Sequence, residues 1–230
     1  MTADHALSVR DLSARYGRRE VFHGVSINVP AGQALGVVGP GGAGKTTFLR
    51  TLVGLVRPSR GEVRLGGLLP QHAGRRAGMA YFGGEATLPG RVRARAWGRL
   101  AGEPLTDDQR RLRTLGRGAR QVLGLRTALG RPGLALVVLD EPWEGLDPDA
   151  GRWLSAVLVA KRDRGAVVVV SSHRLHELAG LCDAFLFLVN HRAIILRATE
   201  ISPTEPVSEA RLVEVFDSLR GGADLAIRLS

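Results

Sequence analysis

The chain has 230 residues, 44% of them hydrophobic, enough to bury one substantial core with room for a smaller appended lobe. A single cysteine, Cys182, excludes an intrachain disulfide and fits a reducing compartment. The formal charge of +10 calls for a solvated basic face or an acidic partner, and the longest apolar runs, Leu134 to Leu139 and Ala184 to Val189, are strand-length and exclude a bilayer-spanning helix.

At the N-terminus, Asp4 and His5 stand where a signal peptide needs a basic end and an apolar run, so the protein is expected to stay in the cytosol. Residues 6 to 29 alternate as strands do, with Leu7 and Val9 in one run and Val25, Ile27 and Val29 in another, joined by a turn at Tyr16-Gly17. An antiparallel sheet therefore precedes the glycine-rich loop that begins at Gly39, and Tyr16, at the turn of that sheet, offers an aromatic face able to stack on adenine.

Ala34, Leu35, Val37 and Val38 read as a buried strand, and Phe48, Leu49, Leu52 and Leu55 recur at helical spacing beyond it. Between them, Gly39-Pro40-Gly41-Gly42-Ala43-Gly44-Lys45-Thr46 matches G-x-x-x-x-G-K-[ST]. Glycines let backbone N–H groups turn inward around phosphate oxygens, and the helix N-terminus adds its partial positive charge. Lys45 is placed to reach the β- and γ-phosphates and Thr46 to hold Mg²⁺. Of 32 basic residues only Lys45 and Lys161 are lysines, so the chain departs from its arginine habit where a compact ammonium suits a phosphate cradle.

Arg57-Pro58-Ser59-Arg60-Gly61 breaks the helix, and Glu62 to Gly67 reads as a hairpin strand. From Gly83 to Gly116 the pattern loosens into short helical pieces punctuated by Pro89 and Pro104, an inserted helical lobe. Between Arg91 and Arg131 eleven arginines meet three acids (Glu103, Asp107, Asp108), a local net of +8. That lobe is either a solvated face or a surface for a membrane, a protein or nucleic acid. Val122, Leu125, Ala128 and Leu129 restore helical spacing until Gly130-Arg131-Pro132-Gly133.

The wholly apolar strand Leu134 to Leu139, buried on both faces as a central parallel strand must be, ends in Asp140-Glu141-Pro142. Such an acidic pair points into the crevice where parallel sheets bind ligands; Asp140 can complete a Mg²⁺ shell and Glu141 can act on an attacking water. Gly145-Leu146-Asp147-Pro148 follows, then a helix from about Ala150 to Lys161, then a strand from Val167 to Val170 that delivers Ser171-Ser172-His173 to the same sheet edge. His173 is placed to touch phosphate. A strand pair around Phe185 to Leu196 and a helix with Leu212, Val215, Phe216 and Leu219 on one face, stopped by Gly221-Gly222, close the chain.

Tyr16-Gly17, Gly39 to Thr47, Leu139 to Pro142, Gly145 to Pro148 and Ser171 to His173 stand in one order, and with it nearly the whole chain resembles the nucleotide-binding subunit of ABC transporters. The resemblance implies an α/β fold, a P-loop NTPase core with a mainly parallel sheet, an N-terminal antiparallel β subdomain and a shortened α-helical subdomain. It makes 1–230 a single nucleotide-binding domain with the helical subdomain at about 85–130. The cofactors implied are ATP and Mg²⁺. Two such subunits would close head to tail around two ATP molecules, each held by the phosphate loop of one and the signature loop of the other.

Carried over by position, Gly39, Gly41, Gly42, Gly44, Lys45, Thr46 and Thr47 look like the phosphate loop and Tyr16 like the adenine-stacking aromatic. Thr46 and Asp140 look like the metal contacts, Glu141 the general base, Asp147 the D-loop aspartate and His173 the switch histidine. The tail around Val213-Glu214-Val215-Phe216 is similar to the drug- and polysaccharide-exporter branch. Three departures stand out. The signature LSGGQ is replaced by Leu115-Gly116-Arg117-Gly118-Ala119, keeping only Gly118 of the serine and two glycines that touch the opposite nucleotide. Arg117 either supplies a charge donor in their place or blocks closure. The glutamine due after Tyr81-Phe82 is absent, the chain reading Gly83-Gly84-Glu85, and the lobe from about Glu85 to Leu115 is short.

Three functions are compatible with these residues. The leading one is an ATPase subunit at the inner face of the cell membrane that drives transport through separate membrane-spanning subunits, in a homo- or heterodimer. The second is an ATP-binding, weakly hydrolysing regulatory or unequal heterodimer subunit. The third, a soluble ABC-type ATPase acting on nucleic acid, lacks the coiled-coil insertion or tandem domains expected of such proteins.

Overall fold

The computed structural model describes residues 6–100, 109–190 and 192–221. Asp4, His5, Glu103, Pro104, Asp107, Asp108 and Gly222, all used in the sequence reading, lie outside the described residues. The strands are β1 (Leu7–Tyr16), β2 (Arg19–Val29), β3 (Ala34–Val38), β4 (Arg60–Leu65), β5 (Met79–Phe82), β6 (Leu136–Asp140), β7 (Val167–Ser171), β8 (Ala184–Val189) and β9 (Arg192–Arg197). The α-helices are α1 (Lys45–Leu52), α2 (Pro70–Ala73), α3 (Ala94–Leu100), α4 (Arg117–Leu129), α5 (Pro148–Asp163), α6 (Leu175–Leu178), α7 (Ala198–Ile201) and α8 (Glu209–Arg220).

Six strands form one sheet in the order β5-β6-β7-β3-β8-β9, parallel except for β9, which pairs antiparallel with β8. Its central strands are buried along their whole length, and strand alternation sends their side chains into two separate cores. Val38, Val137, Leu139, Val168, Val170 and Phe187 face α4, α5 and α8. Leu35, Val37, Leu136, Val138, Val169 and Leu186 face α1 and a second, antiparallel sheet.

That second sheet runs β2-β1-β4, so it is N-terminal only in part: β4 comes from beyond the glycine loop, pairing Val9 with Val63. Helix α1 is wedged between the two sheets, and the edge-to-face contact of Phe22 with Phe48, centroids 5.7 Å apart, ties it to β2. The helix is shorter than its apolar spacing predicts. It ends at Leu52, and Leu55 is 64% exposed, because Gly54 takes a left-handed turn at φ +76°.

Among the described residues, the expected lobe contains a 3₁₀ turn at Glu85–Thr87, α3, a second 3₁₀ turn at Leu112–Thr114 and α4. It carries a small core of its own, Ala94, Leu112, Leu115 and Leu123. Helix α5 starts at Pro148, earlier than predicted, because Asp147 caps it by accepting from Ala150 N at 2.8 Å and proline suits the first helical position. Strand β5, α2, α6 and α7 had no counterpart in the sequence reading.

Candidate functional site

Strands β6, β7 and β3 are neighbours, and their carboxyl ends bring together the loops after Val38, Asp140 and Ser171. The loop glycines there serve different ends. A Cβ on Gly39 would stand 2.6 Å from the Leu188 carbonyl, and one on Gly44, at φ +101°, would stand 2.5 Å from Val21 Cγ1. Those two positions are closed by packing, whereas Gly41 and Gly42 have open space above them, Gly42 at φ +77°. Helix α1 has no side-chain cap and no acid in its first turn, so its leading N–H groups are left for an anion.

Lys45 Nζ folds back on the loop, donating to Gly39 O at 2.7 Å and Pro40 O at 3.3 Å, and lies 3.8 Å from Glu141 Oε1. Thr46 Oγ1 donates to Asp140 Oδ2 at 2.5 Å. The register pairs Asp140 with Ser171 across β6 and β7, and Ser171 Oγ donates to Asp140 Oδ1 at 2.6 Å while accepting from Glu141 N at 3.0 Å. Ser171 is fully buried and holds both carboxylate-bearing residues in place. Glu141 sits at φ +46°, a left-handed conformation rare outside glycine, which turns its side chain out of the strand direction. His173 meets it there, Nδ1 at 2.8 Å and backbone N at 3.1 Å from Glu141 Oε2.

The loop carrying His173 is braced from behind. Ser172 Oγ donates to Glu177 Oε2 at 2.8 Å, and Arg174 Nη1 lies 3.0 Å from Glu177 Oε1. Burial pushes the Glu177 carboxyl above the ordinary range, the Ser172 and Arg174 contacts opposing that rise.

Tyr16, Pro40 to Thr47, Asp140 and Glu141 line one cleft of about 760 Å³, together with Arg19, Glu20, Val21 and Asn190. Its size suits a nucleotide. Tyr16 is 57% exposed at its rim, its hydroxyl 3.4 Å from Thr47 Oγ1. The ligands offered by Thr46 and Asp140 are oxygens, as Mg²⁺ prefers, and among the described residues no group of three or more His, Cys, Asp or Glu is placed to hold a metal ion. A Mg²⁺ ion held here would draw its remaining ligands from phosphate and water.

Gly39, Gly116, Arg117, Gly118, Asp147 and His173 do not line this cleft, His173 being joined to it through Glu141. Gly118 and Asp147 line a separate hollow of about 430 Å³ with Gly145, and a Cβ on Gly118 would stand 2.7 Å from Gly145 O. Arg117 pairs with Glu144, Nη2 to Oε1 at 2.6 Å. Buried Gln121 fixes α4 to the acidic loop, its Nε2 donating to Pro142 O at 2.9 Å. Where the glutamine is missing, Gly84 turns at φ +89° and Tyr81 leans over Gly83, its hydroxyl accepting from Arg50 Nε at 3.3 Å.

Sequence reasoning missed Ser171 and Gln121 as supports, Glu144 as the partner of Arg117, and Arg19, Glu20 and Asn190 as cleft walls. The pairing of Asp140 with Ser171 follows from laying β6 beside β7, so Ser171 had a signal; Asn190, beyond the end of β8, had none.

The ABC transporter family model matches residues 22–144, which include the glycine loop, the signature position and the acidic strand end. The chain is 30% identical to the lipopolysaccharide export system ATP-binding protein LptB of Acidithiobacillus ferridurans, over 91% of this chain and 95% of that protein. It is also 30% identical to the phosphonates import ATP-binding protein PhnC 1 of Natronomonas pharaonis, over 92% and 99%. A solved ATP-binding subunit of an ABC transporter superposes with a TM-score of 0.76 at 24% identity, covering 91% of this chain and 98% of that one, which shows the shared fold. With a family model covering more than half of its length and full-length relatives at this identity, the chain belongs to the ATP-binding proteins of the ABC transporter family.

Proposed function

We propose that this chain binds and hydrolyses ATP to drive transport through separate membrane-spanning subunits, acting as one half of an ATP-binding dimer at the inner face of the membrane. The observation that carries the reading is the convergence of Lys45, Thr46, Asp140 and Glu141 on the uncapped end of α1, with His173 bonded to Glu141. Bound MgATP would supply the phosphoanhydride; the chain's own residues do the rest. Lys45, which donates to the Gly39 and Pro40 carbonyls, would exchange them for the phosphates, and Thr46 and Asp140 offer the metal its oxygens. Glu141 takes a proton from water and His173 orients it. Tyr16 stacks at the rim, and Gly116, Arg117, Gly118 and Asp147 face the nucleotide of the second subunit.

The whole chain acts as one nucleotide-binding domain, with residues of about 85–130 as its helical subdomain, a division supported by the small core around Leu112. Among the described residues no helix is long and apolar enough to cross a membrane, so attachment there falls to partner subunits. The tail resemblance favours the export direction, while an export and an import relative are equally similar. A second reading, a subunit that binds ATP but serves its partner's site poorly, is favoured by the Arg117–Glu144 pair at the signature position.

Lys45→Ala is expected to remove most MgATP affinity or turnover, since it deletes the mobile cation of the cradle. Fluorescent-nucleotide titration with an ATPase assay on the co-purified membrane assembly checks this, and unchanged binding and turnover would reject the site.

A further inference from the structure

Arg117 opens α4 directly after its N-cap, Gly116, where the helix already carries partial positive charge and where neither a side-chain cap nor an acid relieves it. A guanidinium at that end is unfavourable unless an anion stands nearby. Glu144, from the loop before α5, provides the carboxylate at 2.6 Å. The arginine side chain lies flat along that loop, since a Cβ on Gly145 would stand 3.7 Å from both Arg117 Cγ and Cδ. Both partners of this pair remain open to solvent, at 58% and 46% exposure.

We propose that Glu144 is a latch for Arg117: in the single subunit it holds the guanidinium along the Gly145 loop, and a second copy of this chain carrying a nucleoside triphosphate draws Arg117 off onto its terminal phosphate. The proposal rests on the reading of the chain as an ATP-binding subunit that pairs through this surface. The exchange is favourable in direction, because a phosphate offers the guanidinium more charge than one carboxylate and the same two-pronged geometry. It is easily started, because an ion pair this exposed is weak. Glu144 is thus a positioning residue that restrains association by competing for Arg117.

The test is ATP-dependent self-association of the full chain, measured by sedimentation with Mg²⁺ and a non-hydrolysable ATP analogue, for Glu144→Gln, Arg117→Ala and the double variant. Glu144→Gln should tighten association about two- to fivefold for each latch released, the range expected of an exposed ion pair, and the two latches of a symmetric pair multiply. Arg117→Ala should weaken association, and the double variant should match Arg117→Ala. Fluorescent-analogue binding to the isolated subunit should be the same in all, which also controls for folding. No tightening in Glu144→Gln, or tightening that survives in the double variant, overturns the latch. If wild type binds the analogue but no variant associates, the latch alone is overturned; if wild type does not bind it, the ATP reading fails and the latch with it.

Discussion

Glu141 shows how one residue's backbone can decide its chemistry. Held at φ +46° with its N–H on Ser171 Oγ, its carboxylate sits between Lys45 and His173 instead of following the strand. If it is the general base, Glu141→Gln should keep MgATP binding while slowing hydrolysis by roughly 10² to 10⁴-fold. Nucleotide titration beside steady-state turnover of the assembled transporter reads both, and equal turnover in the two forms would make Glu141 a bystander. Much of this site was legible in the sequence, because phosphate chemistry ties residue types to fixed offsets: Gly39 to Thr46, then Asp140-Glu141 at a strand end. What the sequence withheld were the supports. Gln121 acts through a contact made across 21 positions with no local pattern to mark it, and Ser171, 31 positions from Asp140, shows only once β6 is laid beside β7.

At the scale of elements, the wholly apolar strands β3, β6 and β7 were readable because burial on both faces leaves no polar position to confuse the pattern. Strand β5, four residues with only Ala80 and Phe82 buried, gives too short an alternation to register, and α2 has a single turn entered by Pro70. The start of α4 separates two nearby glycines physically. Gly118 abuts Gly145 O, where an added methyl must push the α4 and α5 approaches apart, whereas Gly116 has open space and a φ of −59°. Gly118→Ala should therefore destabilise the fold by about 1 to 3 kcal/mol, the usual cost of overpacking, with Gly116→Ala close to wild type. Urea unfolding of the two variants measures the difference, and equal midpoints would mean that the loop yields freely.

For the molecule as a whole, the charge is lopsided. Residues 90–93 run antiparallel to 110–113, Arg93 opposite Arg111, and the ladder buries Leu112 and half-buries Val92 while leaving Arg91, Arg93, Arg111 and Arg113 exposed. Among the described residues no acid pairs with these four arginines, and like charges set opposite one another are costly, so this face is expected to meet an acidic partner. Charge reversal at Arg91, Arg93 and Arg95 together should weaken co-purification with the membrane subunits, and the wild-type assembly should loosen as salt is raised. Assembly that survives reversal while DNA or RNA binding is lost would move the assignment toward nucleic acid. The strand order has a further consequence, for synthesis. Strand β3, which aims the glycine loop, has as its only sheet neighbours β7 and β8, both made more than 120 residues later. On the ribosome the phosphate loop therefore emerges long before the sheet that shapes it, so the nascent chain cannot capture nucleotide until its last third is out, and its apolar strands need shelter in the meantime.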